Sequence, residues 1–424
     1  MRKALLLFAF IFAAGCSKDE SLPPEKLKDS IDICGQTKMS LADEPEDRPL
    51  NIMQEVLREF ETPTKLVSDD NLPYFEDDLS FSGLDQAIDR QLTFFKARPP
   101  SGTIKLGGKV FPLNRVVKSL QKMRALIGVY KDCKVKKASE STCLKNFNLD
   151  IRKYFYVVQP ELAPEDPRYG EDKQTLFTGY YTPLLRGFAE PQGDFVHAVY
   201  LRPQDKYVPT PRVDIDFRGQ LQNKNLELIY INELFLSYLL HVQGSGKAQI
   251  NTPSGVQEFY IGYNGNNGLT WRFISQYMLQ KGYIKNGSIA AQREFLAKNP
   301  ERQEEIFATC PSYIYFLRSP IPPKGSGNVS VTPNRTIATD NRYYRFKGML
   351  AYVVARRPTE NTDQYYQCKQ VDFKKFSRFF LDQDTGGAIR GKARVDIYFG
   401  EDDYAAVAAY NTVERGDLYF LMLR

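Results

Sequence analysis

The chain has 424 residues, a formal net charge of +6 and 42% hydrophobic residues, enough for one large or two ordinary domains with sizeable cores. The charge is too small and too dispersed to argue for nucleic acid as a partner. Two histidines, His197 and His241, and no zinc-type cysteine spacing argue against a metal site, and nothing in the composition calls for a cofactor.

Arg2 and Lys3 precede an apolar run from Ala4 to Ala14, the layout of a secretory signal peptide and short for a bilayer span. The run ends in Phe12-Ala-Ala-Gly-Cys16, which resembles a lipobox whose cysteine is acylated and becomes the new N terminus. Ser17 and Lys18 follow in place of Asp, a pattern similar to outer-membrane sorting. Residues 1–16 are therefore expected to be a lipoprotein signal peptide with lipidated Cys16, and residues 17–48, polar and Pro-containing, a tether.

Apolar residues at three- and four-residue spacing predict helices over 50–61, 85–96 and 113–130; Leu113, Val116, Val117, Leu120, Met123 and Ile127 form the clearest stripe. Cys133 and Cys143 bracket a short polar loop suited to a disulfide in an oxidising compartment, while the pairing of Cys34, Cys310 and Cys368 stays open. The character changes at Phe177-Thr-Gly-Tyr-Tyr-Thr-Pro183, where strand formers surround a glycine. Residues 195–200 and 213–217 read as short strands, and 226–240 as a helix running into Val242-Gln-Gly-Ser-Gly246. A Gly/Asn-rich segment, Tyr263-Asn-Gly-Asn-Asn-Gly268, precedes a helix over 271–280 and two further helical pieces. Pro320-Ile-Pro-Pro-Lys-Gly-Ser-Gly327 reads as a domain junction. Beyond it the pattern is strand-like to the end, including 349–355, 365–371, 394–399 and 418–423.

The richest stretch is Asp384-Thr-Gly-Gly-Ala-Ile-Arg-Gly391 followed by Arg394-Val-Asp396-Ile-Tyr-Phe-Gly400. Alternation puts Val395, Ile397 and Phe399 on one face of a strand and Arg394, Asp396 and Tyr398 on the other. A carboxyl group rising among bulky apolar neighbours is a candidate general acid. A Gly-rich hairpin whose aspartates cap turns accounts for the same residues. Gln243-Gly-Ser-Gly-Lys247 is neither a nucleophile elbow nor a phosphate loop, and a single Asp-Thr-Gly falls short of the pair an aspartic protease needs.

Taken in order, Thr178-Gly-Tyr-Tyr-Thr-Pro183, Val242-Gln-Gly-Ser-Gly246, Tyr263-Asn-Gly-Asn-Asn-Gly268, Pro311-Ser-Tyr-Ile-Tyr-Phe316, Thr339-Asp340 and the Asp384–Tyr398 blocks resemble the membrane-bound lytic murein transglycosylase A family of outer-membrane lipoproteins. The resemblance implies a mainly β fold with α elements: a double-psi β-barrel domain plus an inserted second β-rich domain, with a substrate groove between them. Its boundaries would be 49–182 plus 320–424 for the barrel with its N-terminal helices, and 183–319 for the insert. It also implies cleavage of the β-1,4 bond between N-acetylmuramic acid and N-acetylglucosamine in peptidoglycan, with a 1,6-anhydro product.

In that scheme Asp396 is the catalytic carboxyl, acid and then base, and Asp384 and Asp340 support it. Thr178, Gly179, Tyr180, Tyr181, Gln243, Gly244, Ser245, Gly246, Asn264, Gly265, Asn267 and Gly268 are the expected glycan contacts. The expected partners are glycan strands, the membrane through the lipid, and, as candidates, cell-wall synthesis or division proteins, at the periplasmic face of the outer membrane. Three features depart from the family pattern: Cys310 where Asn is usual, one extra residue between Gly391 and Asp396, and no proline in Arg342-Tyr-Tyr-Arg-Phe-Lys-Gly348. A non-catalytic peptidoglycan-binding lipoprotein and a hydrolytic muramidase are the alternatives; the latter requires a second carboxylate to activate water.

Overall fold

The computed structural model describes residues 59–136, 139–161, 174–204, 209–252, 255–287, 289–361, 371–387 and 389–424. The chain starts with β1 (Glu59–Glu61), β2 (Thr64–Leu66), α1 (Leu84–Ala97), β3 (Thr103–Leu106), β4 (Lys109–Pro112), α2 (Asn114–Val135), α3 (Glu140–Tyr154), β5 (Phe155–Pro160) and β6 (Thr175–Tyr181). It continues through β7 (Leu184–Phe188), β8 (His197–Tyr200), α4 (Arg212–Asp216), β9 (Glu227–Ile231), α5 (Leu234–Gln243), β10 (Gly246–Thr252), β11 (Gly255–Asn266), α6 (Ile274–Gln280), α7 (Ile289–Lys298), α8 (Gln303–Ala308) and β12 (Ile314–Ser319). Last come β13 (Thr336–Thr339), β14 (Met349–Pro358), β15 (Phe373–Asp384), β16 (Arg394–Gly400), α9 (Asp403–Asn411) and β17 (Glu414–Leu423).

Two sheets dominate. The larger runs β14-β15-β13-β16-β6-β17-β5-β2, and an additional β14–β17 pairing closes its first six strands into a barrel. The chain leaves this barrel after β6 and returns at β13, so strands far apart in sequence lie side by side: β6 pairs in parallel with β16, and Thr178 lies opposite Asp396. The smaller sheet, β12-β11-β10-β7-β9-β8, belongs to the excursion, and a bridge from Leu201 to Phe316 draws its two edges together. Leu185, Ile229, Ile231, Ile250, Ile261 and Phe316 fill its interior. The architecture is thus mainly β with helices, a closed six-stranded barrel of double-psi type plus a second β-rich unit.

Residues 376–383 of β15 are buried without interruption. A strand reads this way when both of its faces are covered. One face points into the barrel, and α1 packs against the strand from outside, as α2 does against β14 and β17. On α2 the apolar stripe buries Val116, Leu120, Met123 and Ile127, and the Cys133–Cys143 disulfide ties α2 to α3.

Several expectations are corrected. Residues 59–61 form β1, paired in parallel with β3, where a helix over 50–61 was expected; the rest of that segment lies outside the described residues. The apolar run 226–240 splits into β9 and α5, because a short apolar stretch carries no period that separates strand from helix. Residues 213–216 lie in the helical turn α4, which Phe217 ends, and an i,i+4 ion pair between Arg212 and Asp216 favours it over the alternation. The strand-like C-terminal region contains a helix, α9, whose Asp402 side chain caps it by accepting from the Ala405 N–H. The strand expected over 365–371 falls, up to residue 370, outside the described residues, as do Cys16, Cys34 and Cys368.

Candidate active site

Strand pairing assembles the acidic cluster. In β16, Val395, Ile397 and Phe399 are buried in the barrel while Arg394 and Asp396 stay partly accessible on the opposite face. Ala338 of β13 lies opposite Asp396 on one side and Asp384 on the other. The two aspartates therefore rise from strands one apart, roughly 10 Å between backbones at the usual strand spacing. Tyr180 of β6 joins them. Its hydroxyl donates to Asp384 Oδ2 at 2.9 Å, and its ring packs 5.1 Å from that of Tyr398. Burial, then the charge of Asp384 and more weakly that of Asp396, push the Tyr180 phenol well above its ordinary range.

Asp396 Oδ1 accepts from the Thr178 hydroxyl and, at 3.3 Å, from Arg394 Nε. Arg394 Nη2 also donates to Thr178 Oγ1 at 2.9 Å. Asp384 Oδ1 accepts from the backbone N–H groups of Ser326 and Thr385, both at 2.8 Å. Burial raises its pKa against the pull of these donors. The Pro/Gly segment expected to be a domain junction makes this possible by lying tightly across the end of β15. A Cβ on Gly325 would sit 2.5 Å from the Gln383 carbonyl oxygen, so a side chain there would lift the loop away from Asp384.

Asp340 is fully buried. Burial opposes its charge, but Arg342 and the N–H of Gly391, 2.7 Å from Oδ2, hold it below the usual carboxylate range. It thereby ties the end of β13 to the loop that leads into β16. Asp382, which sequence reasoning missed, is also fully buried. Burial pushes it up to about 6 against Lys347, 3.1 Å away, and the Thr339 hydroxyl. Plain alternation would put Asp382 and Asp384 on one face, but the register shift separates them: Asp382 lies opposite Ile337 and meets Thr339, while Asp384 lies opposite Ala338. Among the described residues no group of three or more His, Cys, Asp or Glu side chains is arranged to hold a metal ion.

A groove of about 970 Å³ runs between the two sheets. Tyr180 and Asp384 line it from the barrel, and Gln243, Gly244 and Ser245 from the end of α5. Tyr263, Asn266, Trp271, Phe273 and Leu317 add the insert's wall, and Ile321 that of the following loop. Tyr263, Leu317 and Ile321 are exposed, an apolar shelf of the kind that packs against sugar rings. Asp396 and Thr178 lie opposite each other two residues before the Tyr398–Tyr180 pair, and neither they nor Arg394 line the groove.

Other expected contacts serve packing. Tyr181 is buried with its hydroxyl on Tyr410, and a Cβ on Gly179 would meet Phe399 at 2.5 Å. Gly246 is enclosed by Leu240 and Leu185. Asn267 is fully buried and staples the chain through the carbonyls of Thr210 and Pro311 and the N–H of Tyr313. Asn264 and Gly265 are partly buried beside the groove, Gly265 (φ 103°) packs against Arg202, and Gly268 (φ 71°) is exposed at a turn. Asn266, not singled out from the sequence, faces the groove instead, because the β11–β12 register shifts between Tyr263 and Asn266.

The MltA specific insert domain matches residues 176–317 and the 3D domain residues 335–422. Membrane-bound lytic murein transglycosylase A of Vibrio cholerae serotype O1 is 29% identical over 248 residues, 57% of this chain and 64% of that protein. The protein of the same name from Escherichia coli K12 is 28% identical over 229 residues, 53% of this chain and 59% of its own length. The alignments thus span less than two thirds of each relative. Among solved structures, the membrane-bound lytic murein transglycosylase of Agrobacterium tumefaciens superposes with a TM-score of 0.62 at 22% identity, covering 85% of this chain and 98% of that one. E. coli MltA with bound chitohexaose gives 0.60 at 22% identity, covering 88% and 97%. With two tandem domain matches and a shared fold, the chain belongs to the MltA family.

Proposed function

We propose that this protein is a lytic transglycosylase that cleaves the β-1,4 bond between N-acetylmuramic acid and N-acetylglucosamine in peptidoglycan and leaves a 1,6-anhydro end. The observation that carries the reading is Asp396, with Oδ1 engaged and Oδ2 without a partner among the described residues, held on a barrel strand paired with the one that carries Tyr180 into the groove. Asp396 protonates the glycosidic oxygen as the C1–O bond breaks. The C6 hydroxyl oxygen of the same muramoyl unit bonds to C1 and passes its proton to the carboxylate, which restores the acid. One carboxyl group suffices because the substrate supplies its own nucleophile. Asp340 and Asp384 hold the loops around it, and Tyr180, Gln243, Ser245 and Asn266 face the glycan.

The domain division expected from the sequence, 49–182 plus 320–424 and 183–319, goes with this proposal, as does anchoring through Cys16 at the periplasmic face of the outer membrane. The leader motif and the membrane-bound relatives support the anchor. Among the described residues no helix is long and apolar enough to cross a membrane.

A hydrolytic muramidase is the second reading, and one observation favours it: Asp384, raised by burial, gives the groove a second carboxyl group. Mass spectrometry of muropeptides released from purified sacculi separates the two. Anhydro ends are expected; reducing ends carrying added water would establish the hydrolase. Asp396→Asn is expected to fold and bind glycan while releasing no anhydro-muropeptides, and full activity in that variant would overturn the assignment of Asp396.

A further inference from the structure

Beyond the aspartate itself, the structure assigns a positioning residue to this site: we propose that Arg394, acting with Thr178, fixes Asp396 so that Oδ2 alone meets the glycan. The inference rests on the reading of Asp396 as the proton-transferring group. Arg394 lies two residues before Asp396 in β16 and so projects from the same face, and Thr178 lies directly opposite Asp396 in the parallel strand β6. All three belong to ordered strands of the closed barrel, a more precise support than a loop.

The polarity of the network is forced. A guanidinium can only donate, so Arg394 gives Nη2–H to Thr178 Oγ1 and Nε–H to Asp396 Oδ1. The single Thr178 hydroxyl hydrogen must then go to Asp396 Oδ1. Both contacts converge on one carboxylate oxygen and fix the rotamer, and Oδ2 has no hydrogen-bond partner among the described residues. Arg394 and Asp396 are largely shielded, at 12% and 18% side-chain exposure, so solvent weakens the arrangement less than it would a surface pair. The planar fork that spans two acceptors is a property of arginine that a lysine ammonium lacks.

The test measures anhydro-muropeptide release and, separately, binding of chitohexaose by calorimetry. Arg394→Ala is expected to lower kcat by about 10- to 100-fold, the cost of misplacing a reacting group by about 1 Å, with chitohexaose affinity and melting temperature within twofold and two degrees of wild type, roughly. Arg394→Lys should recover part of kcat. Thr178→Val, nearly isosteric, should reproduce the kcat-selective loss, and it keeps the inference exposed if Arg394→Ala misfolds. If Thr178→Val, or a folded Arg394→Ala, retains wild-type kcat, the positioning role is wrong, and so it is if the loss lies in affinity instead. Activity in Asp396→Asn is a separate failure, of the functional reading, and does not depend on the Arg394 variants.

Discussion

The barrel and the insert each bury a whole arginine, and they treat it differently. In the barrel, Arg335 pairs with both oxygens of Asp77, at 2.6 and 2.8 Å, and donates to the carbonyls of Ser82 and Phe379. Asp77 in turn accepts from the N–H groups of Leu79, Phe81 and Phe379. In the insert, Arg212 meets Asp216 through one contact of 3.2 Å and His241 Nδ1 at 2.6 Å. Its Nε has no partner among the described residues, and the rings of Tyr238, Trp271 and Tyr313 surround the guanidinium at 5.2 to 5.9 Å. One charge is saturated by hydrogen bonds and the other is packed in aromatic faces. The first pins the segment before α1 to the barrel; the second backs the groove wall through Trp271 and His241.

Breaking each pair tests the contrast. Asp77→Ala leaves Arg335 and three N–H groups unsatisfied in the interior and is expected to cost about 3–5 kcal/mol. Asp216→Ala removes one contact from a cation that keeps its rings, and about 1–3 kcal/mol is expected, near the cost of one buried hydrogen bond to a charge. Urea denaturation of both variants measures the difference, and a larger loss for Asp216→Ala would mean that the rings contribute little.

The pH dependence of the insert sharpens the comparison. Burial, then the adjacent Arg212, holds His241 well below its ordinary 6.5, and Arg212 and the Ile314 N–H both donate to its Nδ1. A folded pKa below the unfolded one gives stability that is present above 6.5 and lost as pH falls, up to about 1.4 kcal/mol per unit. Asp216 has the opposite sign. Burial raises it to about 6, against Arg212, so its contribution is fully present below its ordinary 3.8 and is lost as pH rises through 6. From pH 7 to 5, acid lability should therefore be steepest between about 6.5 and 6, with Asp216 offsetting His241 from there down to about 3.8. Thermal melting from pH 7 to 5 with His241→Phe should lose the upper step; an unchanged profile in that variant would sink the assignment to His241.

Sequence alone carried much of this layout, and its failures have physical causes. The alternation in β16 was readable over its first four residues, where Val395 and Ile397 are buried and Arg394 and Asp396 are not; Tyr398, on the face of Asp396, is buried as well. The order of the motif blocks identified the chain's relatives: the Thr178, Thr339 and Asp384–Tyr398 blocks sit where β6, β13, β15 and β16 meet, and the Val242, Tyr263 and Pro311 blocks belong to the insert. The split of residues 226–240 was invisible, because a core strand and a core helix are equally apolar. Arg394 was placed on the face of Asp396, yet its partner Thr178 lies 218 residues before that aspartate, and only the β6–β16 register brings the three together. Asn266 and Asn267 differ by one position in a Gly/Asn turn, and the β11 irregularity decides which faces the groove.

The smallest expected effect is also the sharpest, because one substitution should act with opposite sign in the two regions. The Tyr352 hydroxyl, in the barrel, accepts from the Glu76 N–H at 3.0 Å and donates to the Tyr74 carbonyl at 3.1 Å. The Tyr313 hydroxyl, in the insert, is buried without a hydrogen-bond partner among the described residues. Tyr352→Phe strands a backbone donor and acceptor and should cost about 1–3 kcal/mol, whereas Tyr313→Phe removes an unsatisfied group and should be neutral or stabilise by up to about 1 kcal/mol. Both keep the ring, so the Tyr313 contact with Arg212 at 5.2 Å and its perpendicular packing on His241 at 4.4 Å survive. Calorimetric melting of the two variants reads the sign directly. A destabilised Tyr313→Phe would mean that the hydroxyl is bonded in solution, and the insert's buried charge would then be satisfied in the same way as the barrel's.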